Sequence, residues 1–207
     1  MNSTFYKNFV KPVLTLALIT LIAGVALSTV YTVTKDPIEA NELAKKRAAY
    51  KAVCEAAADF VDIDAANAAI ASQGSAYADG TFGSTTIDEA YAAVDANGNV
   101  VGYVFSITNG NAYNPPLKLA LGVAPDGTVL KISFTELNET PGKGSKADDA
   151  AFKDQFNGHA VDAFVLNGSG EEGIDAISGA TVTSKAVLFA VNAGLDFFRN
   201  VIMEGGN

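Results

Sequence analysis

Hydrophobic and polar residues follow three rhythms along this 207-residue chain. The first is an unbroken apolar run: from Pro12 to Thr34, between Lys11 and Lys35, no side chain is charged and Leu, Ile, Val and Ala dominate. A helix of that length spans roughly 34 Å, enough to cross a hydrocarbon layer of about 30 Å. The run is longer than the apolar region of a signal peptide, although Ala26-Leu27-Ser28 has the small-x-small form of a cleavage site. Either reading puts the rest of the chain outside the cytoplasm. Lys7 and Lys11 favour a cytoplasmic N-terminus over residues 1–11, with Lys35, Lys45, Lys46 and Arg47 weakening the bias.

The second rhythm is helical. Pro37 to Phe60 is dense in Ala, Glu, Lys and Leu, with Pro37 read as a first-turn residue and Ile38, Leu43, Tyr50, Val53 and Cys54 as apolar positions. Residues 61–86 have no period and read as a loop-rich connection. The third rhythm is alternation: Ile87–Val94 and Val100–Thr108 flank a turn at Asp95-Ala96-Asn97-Gly98, and Leu117–Val123 and Val129–Leu137 flank Pro125-Asp126-Gly127. At least four antiparallel strands are predicted. A short helix over Lys146–Phe156, a strand over Val161–Leu166 and a long helix over Ser178–Met203 complete the pattern. In the last of these Val187, Val191, Leu195, Phe198 and Ile202 recur every three to four residues. Sheet and helices segregate, so the predicted class is α+β, an antiparallel sheet with packed helices behind one N-terminal transmembrane helix. The predicted organisation is a cytoplasmic N-terminus (1–11), a span (12–34), a membrane-proximal helix and connection (35–84) and a domain over 85–207.

Composition removes several functions. Residues 1–35 hold three lysines and no acid, leaving 11 basic against 23 acidic residues beyond them, a net of −12. Duplex nucleic acid, which needs clustered Lys and Arg on its phosphates, is excluded as a partner. Cys54 and His159 are the single Cys and the single His, so neither a disulfide framework nor a Cys/His zinc cage can be built, and no metal site is expected. Cys54 reads as a buried small side chain and His159 as a loop residue. The adjacent acids Asp148-Asp149 and Glu171-Glu172 point apart and are assigned no chemistry.

Two segments carry candidate chemistry. Asp175-Ala176-Ile177-Ser178-Gly179-Ala180-Thr181-Val182-Thr183-Ser184 lies where a Gly-rich stretch gives way to the last helix. A helix start offers free backbone N–H groups and the positive end of the helix dipole, and Gly179 and Ala180 add no bulk, so a phosphate could approach closely. An ordinary N-cap by Ser178, Thr181 or Thr183 is the alternative. The second segment, Leu137-Asn138-Glu139-Thr140-Pro141-Gly142-Lys143-Gly144-Ser145-Lys146, is a sharply turned loop that brings Lys143 and Lys146 into an acidic domain. Its glycine spacing is that of neither a P-loop nor a dinucleotide fingerprint.

The string Asp175 through Thr181 resembles the flavinylation motif of FMN-binding domain proteins: an acid, two apolar residues, Ser or Thr, then Gly-Ala-Thr. Glu139-Thr140-Pro141-Gly142, followed by Gly144 and Lys146, resembles the loop that lies by the flavin ring in the same family. The resemblance implies one FMN per chain, esterified through its phosphate to Thr181 by a flavin transferase that uses FAD as donor. It further implies that Ser178, Gly179 and Ala180 shape the turn, that Asp175 is part of the transferase signature, and that Glu139, Thr140, Pro141, Gly142 and Lys146 neighbour the cofactor. Where the family often has Gly-Tyr-x-Gly, this chain has Ala112-Tyr113-Asn114-Pro115-Pro116, which keeps Tyr113 as a flavin neighbour.

With its anchor, the chain is most similar to the G subunits of Rnf complexes, ion-translocating ferredoxin:NAD oxidoreductases, and more distantly to the C subunits of sodium-translocating NADH:quinone reductases. That similarity implies an electron-transfer subunit that is not a complete enzyme alone. Its implied partners are other Rnf membrane subunits, a second flavinylated subunit among them. The alternatives are a free-standing anchored flavoprotein, an anchored ligand-binding sensor, and a pilin-like surface protein, the last lacking the Glu expected early in the apolar segment.

Overall fold

The computed structural model describes residues 10–73 and 81–204; Lys7, and Tyr77 of the expected connection, lie outside the described residues. The chain forms two compact units, Met1–Lys45 and Lys46–Asn207. Helix α1, Lys11–Val53, accounts for the described part of the first unit and ends within the second. Its N-terminal part is long and apolar enough to cross a membrane. Four threonine hydroxyls there are already satisfied: Thr15, Thr29, Thr32 and Thr34 each donate 2.8 Å bonds to the carbonyl four residues back. A hydroxyl bonded in this way can lie in hydrocarbon without an unpaired donor. Pro37 does not open a second helix as expected but sits inside α1. The helix formers that follow it, Ala40, Leu43, Ala44 and Lys45, outweigh the one backbone bond that proline removes.

In the second unit five antiparallel strands follow one another in chain order: β1 Asp59–Asp62, β2 Thr85–Val94, β3 Val100–Asn109, β4 Leu117–Val123 and β5 Val129–Leu137. The expected hairpins are therefore parts of one meander. The expected helix Pro37–Phe60 stops at Val53, so the fifth strand, β1, takes its last two residues, and helix α2 at Asp64–Gln73 lies in the stretch expected to be a loop-rich connection. Alternation is masked in β1 because Asp59 and Asp62 flank only Phe60 and Val61, and α2 is built mostly from alanine, which favours helix without marking a face. The two acids also keep an edge strand from pairing further.

One sheet face carries Ile87, Phe105, Ile107, Leu119 and Leu121, packed against Val187, Ala190, Val191, Leu195 and Phe197 of α4, Thr181–Phe197. Each such Leu or Phe contributes roughly 1.5–3 kcal/mol by leaving water. A β-carbon on Gly194 would lie 2.5 Å from Leu121 and 2.7 Å from Ile107, so the glycine lets α4 sit directly on the sheet. The other face holds Ala93, Val104 and Ala120 beneath Ala49, Tyr50 and Val53 at the end of α1 and the adjoining Cys54. Cys54 is buried there, and burial pushes its thiol pKa up.

Between β5 and α4 the chain is irregular. A 3-10 turn at Gly144–Asp148, a four-residue helix α3 at Ala150–Lys153 and a 3-10 turn at Asp154–Phe156 replace the single predicted helix, because Asp149 is extended (φ −70°, ψ 141°). Only Val165–Leu166 (β6) of the predicted strand Val161–Leu166 forms, pairing parallel with Gly173–Ile174 (β7). Phe164 is instead held by a side chain: its N–H donates to Asn192 Oδ1 at 2.8 Å and its C=O accepts from Asn192 Nδ2 at 2.9 Å. His159 lies in a loop, its carbonyl accepting the Val129 N–H.

Candidate functional site

The two segments singled out in the sequence meet at the start of α4. α4 begins at Thr181 rather than Ser178, because Gly179 takes φ +74° and Ala180 is non-helical (φ −139°, ψ 44°). At Gly179 that left-handed backbone is what glycine supplies, since a β-carbon there would meet nothing. Ala180 is the N-cap residue, with no side-chain cap bond. Neither Ser178, Thr181 nor Thr183 therefore caps the helix. The first helical bond runs from the Ser184 N–H to the Ala180 carbonyl. The N–H groups of Thr181, Val182 and Thr183 precede it without an intrahelical acceptor, at the positive end of a 17-residue helix.

The turn before the helix is fixed by three side chains from three parts of the chain. Gln155 Oε1 accepts the Asp175 N–H at 2.7 Å, Asn167 Oδ1 accepts the Ala176 N–H at 3.0 Å, and Ser184 Oγ accepts the Ile177 N–H at 2.9 Å. Ser184 also donates to the Ala180 carbonyl at 3.0 Å, closing the loop onto its own helix. Asn167 adopts φ +53°, a conformation Asn tolerates better than most residues. In the sequence Ser184 is only one more hydroxyl, and nothing marks Gln155 or Asn167. They act at distances of twenty and nine residues, where no local pattern exists.

Across from this turn a cleft of about 470 Å³ is lined by Tyr113, Glu139, Thr140, Lys143, Gly144, Gly179, Ala180, Thr181, Val182 and Thr183. Of the predicted site residues it brings together Thr181, Gly179, Ala180, Glu139, Thr140 and Tyr113. Ser178, Asp175, Pro141, Gly142 and Lys146 are exposed and do not line it; Lys143 supplies the cation there instead. Lys143–Lys146 turns away through the bond from the Lys146 N–H to the Lys143 carbonyl. Gly144, Val182 and Thr183 complete the lining. Thr181 is exposed, and beside it stand Val182, 50% exposed, and Tyr113, 70% exposed.

The floor of the cleft has an incomplete polar group. Glu139 is only 7% exposed; its Oε1 accepts the N–H groups of Tyr113 at 2.9 Å and Asn114 at 3.3 Å. Its Oε2 is buried without a partner. A β-carbon on Gly144 would lie 2.6 Å from that oxygen and 2.7 Å from Thr183 Oγ1, so only glycine lets the loop pass between them. The arrangement offers an accessible hydroxyl nucleophile on Thr181, unpaired N–H groups and a lysine for an anion, and an acceptor for a hydrogen-bond donor. These are the contacts that a phosphorylated, hydroxyl-bearing ligand can complete.

The profile of the FMN-binding domain family matches residues 112–196, and that of the RnfG N-terminal region matches residues 1–53. The chain is 32% identical to the G subunit of the Na(+)-translocating ferredoxin:NAD(+) oxidoreductase complex of Acetobacterium woodii, over 95% of this chain and 94% of the other. It is 29% identical to the G subunit of the ion-translocating oxidoreductase complex of Methanosarcina acetivorans, over 92% and 95%. Among solved structures, NqrC of Shewanella oneidensis aligns over 73% of this chain and 72% of its own, with a TM-score of 0.49 and 20% identity.

Proposed function

This chain belongs to the family of FMN-binding G subunits of ion-translocating oxidoreductases, and we propose that it is the subunit that holds FMN through a phosphoester on Thr181 and passes electrons between membrane-bound redox partners. The observation that carries the reading is the position of Thr181. Its hydroxyl is accessible, it opens the first turn of α4, and it borders a cleft that Glu139, Thr140 and Lys143 also line. Attachment transfers FMN from FAD: the Thr181 Oγ–phosphorus bond forms, the pyrophosphate bond breaks, AMP leaves and the hydroxyl proton is released. The flavin supplies reversible electron transfer when bound.

The protein's own residues hold and orient it. The N–H groups of Thr181, Val182 and Thr183 and the Lys143 ammonium would hold the phosphate, Glu139 and Thr140 would offer polar contacts, and Tyr113 and Val182 would provide apolar surface at the exposed rim. The bonds from Gln155, Asn167 and Ser184 keep the turn in place before the cofactor arrives. A tether suits a domain beyond the membrane, because a lost cofactor there could not be replaced from the cytoplasm. Residues 12–34 span the membrane with the N-terminus inside, and residues 85–207 bind the flavin. The partners are other membrane subunits of an Rnf complex, one of them also flavinylated, and a flavin transferase for maturation.

The test is to produce the full chain with and without a flavin transferase, and to read in-gel flavin fluorescence and intact mass under denaturing conditions. A fluorescent band with the mass of one esterified FMN, absent in Thr181→Val, is expected. An unmodified wild-type chain beside an active transferase would sink the reading.

A further inference from the structure

We infer that Glu139 is the acceptor that recognises the hydroxyl-bearing chain of the ligand, between its phosphate and its ring; this rests on the flavin reading above and gives one residue a specific part in it. The carboxylate is committed at one oxygen and open at the other. Oε1 takes the N–H groups of Tyr113 and Asn114, which fixes the side chain, while Oε2 is buried with no donor. A buried carboxylate oxygen without a partner is costly, and a folded protein seldom keeps one unless something supplies the donor.

Its position selects which part of the ligand does so. Oε2 and Thr183 Oγ1 both lie within 3 Å of the point a Gly144 β-carbon would occupy. Thr183 is in the first turn of α4, two residues past Thr181. Oε2 therefore lies beside the turn that receives the phosphate, where the next atoms of an FMN ester are those of its ribityl chain. Hydroxyls there are donors, and a carboxylate accepts from them in a charge-assisted bond stronger than a neutral one. A phosphate ester lacking that hydroxyl leaves Oε2 as unpaired as it is without ligand, and discrimination against the analogue follows.

The experiment uses the full chain in detergent, flavinylated with FAD or with FAD analogues each lacking one ribityl hydroxyl. Intact mass reads attachment; visible-region circular dichroism and flavin fluorescence anisotropy read how firmly the flavin is held. Glu139→Gln keeps the acceptor for the Tyr113 and Asn114 N–H groups and turns an amide donor toward the ligand. It is expected to carry the adduct with a several-fold weaker visible dichroism and lower anisotropy. One deoxy analogue should reproduce those changes on the wild-type chain and add nothing to them in Glu139→Gln. Wild-type signals from Glu139→Gln would overturn the inference, and so would substitution and analogue effects that simply sum, because Glu139 would then face another part of the ligand. Gly144→Ala, which pushes Oε2 aside, gives an independent variant should Glu139→Gln fail to fold. A wild-type chain that takes no adduct from FAD itself defeats the flavin reading, a failure distinct from the other two.

Discussion

Two glutamates, Glu89 and Glu139, each reach partners far away in sequence, and they differ in one respect. Glu89, on the sheet face covered by the end of α1, is complete: Oε1 accepts from Lys46 Nζ at 2.7 Å and Oε2 from the Tyr50 hydroxyl at 2.6 Å. Burial works against its charge, but the bonds from Lys46 and Tyr50 prevail and hold its carboxyl below the usual range. Burial, reinforced by the bond to Glu89, in turn pushes the Tyr50 phenol far above its ordinary value and keeps it a donor. Glu139 is the more buried and yet has one oxygen unpaired. A polar cluster that satisfies itself holds the fold together; one that stops short by a single donor has an acceptor left over for a ligand to use.

The comparison can be broken most forcefully at Tyr50. Its ring packs against Phe60 at 5.8 Å and Tyr91 at 5.6 Å, and its hydroxyl satisfies Glu89. Tyr50→Ala removes both, and a loss of about 3–5 kcal/mol is expected, read as a fall of roughly 10 °C in the thermal midpoint. Flavin attachment at Thr181 should survive wherever the variant remains folded. A midpoint within a degree or two of wild type would show that the α1 end is not fastened to the sheet by this contact.

Glu89→Gln is the milder cut, expected to cost about 1–2 kcal/mol at neutral pH because its partners are hydrogen-bonded to a charge that is partly exposed. The pH dependence has a definite sign. The folded pKa of Glu89 is lowered, so its contribution is whole above the unfolded carboxylate range and is lost as pH falls through the folded value. Melting midpoints of wild type and Glu89→Gln should therefore converge on acidification. A gap that widens toward acid would contradict the assignment. Ser184→Ala should cost about 1–3 kcal/mol, since it leaves the buried Ile177 N–H without its acceptor, and should slow adduct formation under limiting transferase.

Only part of this contrast is legible in the sequence. Strands β4 and β5 can be read to the residue because Leu117, Leu119 and Leu121 alternate cleanly and Pro125-Asp126-Gly127 marks the turn. The segments around Glu139 and Thr181 stand out because each is a short, local pattern of turn-forming residues. The pairing of Glu89 with Lys46 and Tyr50 does not, being a contact between a strand and a helix some forty residues earlier. β1 and α2 escape because Asp and Ala carry no face. The anchors Gln155, Asn167 and Asn192 escape for a deeper reason: each bonds to backbone, and backbone groups are the same at every position.

The smallest expected effect sharpens the comparison most. In the flavin-free chain, Glu139→Gln keeps an oxygen for the Tyr113 and Asn114 N–H groups and changes only the atom at the Oε2 position, which has no donor. Exchanging an acceptor that has no donor to lose breaks no hydrogen bond, so a stability within about 1 kcal/mol of wild type is expected. The same chemical change thus weakens the fold at Glu89 and spares it at Glu139. Thermal melts of the two flavin-free variants, run side by side, decide the matter. Equal destabilisation would mean that Glu139 is fastened as Glu89 is, and that the open oxygen in the cleft is not held in readiness for a ligand.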